Sequence, residues 1–111
     1  MNPELQEVEI RIEDAKAMVK RKQALEKLAT NREFKALILE HLFKEEPQRL
    51  TSIIAEPGLV QHRAEIISEL DMISKLQQFF RRIEQQGALM EEELKTLDEA
   101  RDELLAEAAA E

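Results

Sequence analysis

His41 and His62 are the chain's two histidines, and cysteine is absent. Metal ligation and proton transfer are the chemistries such residues could carry. Glu40, Glu45 and Glu46 crowd His41, and Glu45 falls one helical turn along the same face. A zinc centre needs three or four ligands in tetrahedral order. Neither an HExxH pair nor the ExxH repeats of a carboxylate-bridged di-iron bundle occurs. His41 therefore reads as a helix-surface histidine beside acids, and no resident metal or cofactor is expected. Nucleophilic and phosphate chemistry fare no better. There is no thiol, no GxSxG and no GxxxxGK[ST], and two glycines cannot build a phosphate cradle. Paired carboxylates are uninformative in so acidic a chain, and no Trp or Tyr is available to wall a sugar-binding cleft. The residues point to a protein that is not an enzyme.

The elements behind these residues are helical. Two glycines, three prolines and four Phe sit among abundant Ala, Leu, Glu, Lys and Gln, the vocabulary of long helices. Asn2-Pro3-Glu4 is a helix start, with a capping side chain, a proline at the first helical position and an acid at the positive end of the dipole. Leu5, Val8, Ile12, Ala15 and Val19 then follow three-and-four spacing before the stripe slips to Met18, Leu25 and Leu28. Thr30 to Glu33 has capping-box spacing. In FKALILEHLF, Phe34, Leu37, Ile38 and Leu42 form one α-helical face, which Leu39 and Phe43 extend around. That breadth predicts a helix buried on most sides, the centre of the packing. Pro47 opens a further short helix with Leu50, Ile53 and Ile54, and EPGL at Glu56–Leu59 is the strongest turn signal.

From Ile73 onward the pattern locks into heptads. Ile73, Phe80, Gly87, Leu94, Arg101 and Ala108 fall seven apart, and Leu76, Ile83, Met90, Leu97 and Leu104 form the companion row. Such a run meets the criterion for a coiled coil. A helix over residues 73–108 would run roughly 54 Å, so the seam predicts either a docking surface or a hairpin against the first helix. Arg101 and Gly87 interrupt it. The arginine would fix register or snorkel to nearby acids. The glycine would allow close helix approach or end a helix. The fold expected is all-α and a single helical domain over residues 1–111. It has a long helix at 1–30, a short-helix core at 31–56 and a long C-terminal helix at 60–108.

Charge narrows the partners. The formal net charge is −8, which argues against phosphate neutralisation over a broad surface, and no nucleic-acid contact is expected. Residues 15–35 carry seven bases against two acids, whereas residues 91–111 carry two bases against nine acids. A basic and an acidic helix in one chain can pair within or between subunits. No apolar run approaches membrane-spanning length and the N-terminus lacks a signal-peptide pattern, so no membrane association is expected. With a small core, a homo-oligomer is expected.

Ala24–Leu59 resembles small uncharacterised helical proteins of tailed bacteriophages, encoded near head and packaging genes. The resemblance rests on Phe34-Lys35, Leu39-Glu40, Glu45, Glu46, Arg49 and Leu50, with Pro47 standing where the pattern carries alanine. It implies a structural or assembly protein of a phage particle (head, neck or assembly factor), found in the virion or the host cytoplasm. It further implies a larger phage structural protein as partner, and transfers no catalytic residue. The alternative reading is an acidic regulatory module that occupies a basic site on a host protein.

Overall fold

A computed structural model describes residues 2–110. The chain is all-α, with no strand among the described residues: α1 (Pro3–Ala29), α2 (Arg32–Phe34), a π-helix (Lys35–Glu45), α3 (Glu46–Ile53), a 3₁₀ segment (Pro57–His62) and α4 (Arg63–Ala110). Contacts group these into two compact units, residues 2–25 with 83–110 and residues 26–82.

In the first unit, Asn2 starts α1 as its residue type predicts. Its side-chain oxygen accepts from the Glu4 amide at 2.9 Å, beside Pro3 at the first helical position. Ile12, Ala15 and Leu97 are buried together, with Val8, Met90 and Leu94 packed around them. Lys22 lies over Gly87 while Ile12 meets Leu97, so the two helical segments run antiparallel. The heptad seam from Ile83 onward thus packs within the chain.

The second unit is built on Leu50, Ile66 and Ile73, all buried, with Leu42, Phe43, Ile53, Ile54 and Leu70 against them. Full burial of each such side chain stabilises by about 1.5–3 kcal/mol. Asn31, not Thr30, caps the helix that follows α1. Its Oδ1 accepts from the Phe34 amide at 2.8 Å, whereas the Thr30 hydroxyl turns back to the Lys27 carbonyl at 2.7 Å. The expected capping box is therefore replaced by a single cap at Asn31, because the Thr30 side chain closes α1 and Phe34 offers no carboxylate or amide to complete a box.

The central segment departs furthest from expectation. Lys35–Glu45 winds as a π-helix with none of its residues fully buried, and Leu37 is 63% exposed. The buried centre is Leu50, Ile66 and Ile73 instead. The cause is the change of period. At about 100° per residue, Phe34 and Phe43 point to opposite sides of an α-helix. A π-helix, closed by i→i+5 bonds, has a little over four residues per turn, about 85° per residue. Nine positions then make about two turns, and Phe34, Ile38, Leu39, Leu42 and Phe43 gather within an arc of about 105°. Leu37 is thrown off that arc. Both gathered phenylalanines pack on Phe80, with ring centroids 6.0 and 5.7 Å away.

Pro47 accounts for where the π-helix stops. The next π bond would run from residue 47 to the Leu42 carbonyl, and proline has no N–H to donate; its ring also crowds the carbonyl four residues back. That carbonyl belongs to Phe43, and it accepts instead from Gln77 Nε2 at 3.4 Å.

Candidate functional site

α4 carries two apolar stripes in the second unit. Ile66, Leu70, Ile73 and Phe80 face the packing, whereas Met72, Leu76 and Phe79 recur at four-and-three spacing on another side. Met72 is 64% exposed and Phe79 46%, and Leu76 is also exposed. The Phe79 ring centroid lies 5.9 Å from that of Phe80, which in turn meets Phe34 and Phe43. Leu37 is a further exposed apolar side chain of this unit.

A charged row runs along the π-helix and α3. His41 Nδ1 lies 3.1 Å from Glu45 and Nε2 lies 3.7 Å from Glu46. Arg49 grips Glu46 with two hydrogen bonds, Nε at 3.0 Å and a terminal nitrogen at 2.8 Å. The Arg49 hydrogen bond, helped by the charges of Arg49 and His41, holds the Glu46 carboxyl below its ordinary range, and Glu46 raises Arg49 in return. These groups satisfy one another at the surface and leave none aimed at a common point. Among the described residues no group of three or more His, Asp or Glu is placed to hold a metal ion. His62 sits apart, 3.6 Å from Glu65.

In the first unit the seam residues are divided by burial. Leu97 and Gly87 are buried, and Ile83, Met90, Leu94, Arg101 and Leu104 are half-buried. Gly87 is continuous helix, and it answers to close approach: a Cβ there would overlap Lys22 Cβ and stand 2.7 and 2.9 Å from its Cδ and Cγ. The lysine crosses the glycine and reaches Glu91 at 3.0 Å, and Arg11 pairs with Glu93 at 2.8 Å. Basic α1 and acidic α4 are thus joined within the subunit at these points. Arg101 leans out to Asp98 at 3.4 Å, its side chain about one-third exposed. Beside them Gln6, Glu9, Ile10, Glu13 and Asp14 line a shallow depression on α1, in which Ile10 is 62% exposed.

The structure therefore separates residues that the heptads had joined. Ile73 and Phe80 belong to the packing of the second unit, Leu97 and its neighbours to the first, and Leu76 is turned outward. Of the residues expected at the central packing, Phe34, Ile38 and Leu42 are half-buried and Leu37 is not. The Met72–Leu76–Phe79 stripe was missed. Its spacing was visible, but Leu76 also fits the heptad row and was assigned there. No helix among the described residues is long and apolar enough to cross a membrane. No protein-family model, curated protein or solved structure matches the chain.

Proposed function

We infer that the chain is a structural or assembly protein of a tailed-phage particle, working through helix faces and without catalysis. It associates with copies of itself and with a larger structural protein. The exposed Met72–Leu76–Phe79 stripe carries this reading. It is a row of large apolar side chains on a helix whose neighbouring stripe is already packed. Contiguous exposed apolar surface of this kind marks contact with another macromolecule. The resemblance of Ala24–Leu59 to phage proteins encoded near head genes supplies the setting. Mass spectrometry of purified particles tests it: a fixed copy number per particle is expected, and absence from particles and assembly intermediates refutes it.

A second reading has its own observation. Ile10 stands exposed among Glu9, Glu13 and Asp14 on α1, a pattern suited to a basic protein surface with an apolar notch. On that reading the chain regulates a host protein and co-purifies with it instead of with particles.

A further inference from the structure

We propose that Lys35–Glu45 is a two-register helix, exchanging between the π form and an α form that swaps Leu37 for Phe43 against Phe80. Three observations carry this, and none depends on the functional reading above. First, π geometry ordinarily occurs as a single turn inside an α-helix, whereas here it runs for 11 residues. Second, the segment is amphipathic in both periods. In the π register Phe34, Ile38, Leu39, Leu42 and Phe43 share a face. In the α register Phe34, Leu37, Ile38 and Leu42 do, with Phe43 about 180° from Phe34. A sequence with one good face per register has two packings to choose between. Third, the contact between His41 and Glu46 belongs to the π register alone. The two residues are about 65° apart around a π-helix but about 140° apart around an α-helix, and the side chains meet at 3.7 Å.

The exchange alters what the surface offers. In the π form Leu37 is exposed and Phe43 covers Phe80. In the α form Leu37 turns toward Phe80 and the Phe43 ring moves out. A docking helix would meet a leucine in one state and a phenylalanine in the other, and α3 turns with the change because the two periods differ by about 15° per residue.

Fluorine NMR of the full chain labelled with fluorophenylalanine tests this, because four phenylalanines give four resonances. The Phe43 signal is assigned by its loss in Phe43→Leu. The expected result is exchange at Phe43, either a second line or relaxation dispersion on the microsecond-to-millisecond scale. Leu37→Lys leaves the π form untouched, since position 37 is exposed there, but places a charge on the packed face of the α form. It should abolish the exchange. His41→Ala removes the contact unique to the π form and should increase the minor population. A single narrow Phe43 line in the wild type, unchanged by His41→Ala, overturns the proposal. So does exchange that persists undiminished in Leu37→Lys.

Discussion

Replacing Gly87 with alanine sets two effects of known sign against each other. In an open helix the change gains up to about 1 kcal/mol, because glycine loses more backbone freedom on folding than alanine. At Gly87 the new Cβ would overlap the Cβ of Lys22, an atom fixed to the α1 backbone that no rotamer change can move. Relief requires the helices to separate, which loosens the contact of Ile12 and Ala15 with Leu97. Overpacking of this kind costs about 1–3 kcal/mol, and lost apolar contact adds to it. The net expectation is a loss of about 1–2 kcal/mol, with a melting shift of about 4–8 °C for each kcal/mol. Thermal melts followed by far-ultraviolet circular dichroism measure it. Gly58→Ala is the control, since nothing lies within 4 Å of its would-be Cβ and its φ is not positive. It should be neutral or mildly stabilising. Lys22→Gly removes the obstructing atoms, so in that background Gly87→Ala should stabilise. A stabilising Gly87→Ala in the native chain, or an equal loss with and without Lys22, refutes the close-approach argument.

Arg101→Leu should raise the melting temperature, because a half-buried seam position exchanges a charge paired to Asp98 for apolar contact. With about a third of the side chain exposed, roughly 1–2 kcal/mol is expected, read from denaturant unfolding alongside the mass in solution. Gln77→Met should cost about 0.5–1.5 kcal/mol by leaving the Phe43 carbonyl without its donor. In a Pro47→Ala background, where a backbone N–H returns, the cost should vanish, and equal costs in both backgrounds would exclude the compensation. Glu46→Gln should flatten the acid limb of the stability–pH curve. The Glu46 carboxyl is lower in the folded chain than its ordinary value near 4.5, so its contribution is present above that value and is lost as pH falls through the folded pKa. The two curves should therefore separate at neutral pH and converge in acid.

The all-α fold and the long terminal helices were legible because their signals are local. Asn2-Pro3 starts α1, and α4 holds its register from Arg63 to Ala110 without an internal proline. The pairing of Ile12 with Leu97 answers to one of the two readings of the seam, a hairpin against the first helix. The middle third was misread at Leu37 because period was inferred from the apolar pattern, and that pattern fits 3.6 residues per turn as well as it fits a wider turn. What selects the wider turn is Phe80 accepting two rings and Gln77 serving a carbonyl, both remote in sequence. Single-sequence periodicity carries no information on such partners. The Met72–Leu76–Phe79 stripe went unread for a related reason: a helix carrying two apolar stripes satisfies more than one register, and burial alone says which is covered.

The widened helix also dictates how relatives of this chain must align. Between Phe34 and Phe43 it spends about two turns on nine positions, where an α-helix would spend about seven. A homologue with an ordinary α-helix here keeps both rings on the same neighbour if it is shorter by two residues in this interval. A gap of two is therefore a conservative event, since it returns the second ring to the side of the first. An α-helix with no gap is the disruptive case, because it puts the second ring about 180° from the first. Insertions and deletions in this stretch are thus to be weighed by the angle they give the second ring and not by their size.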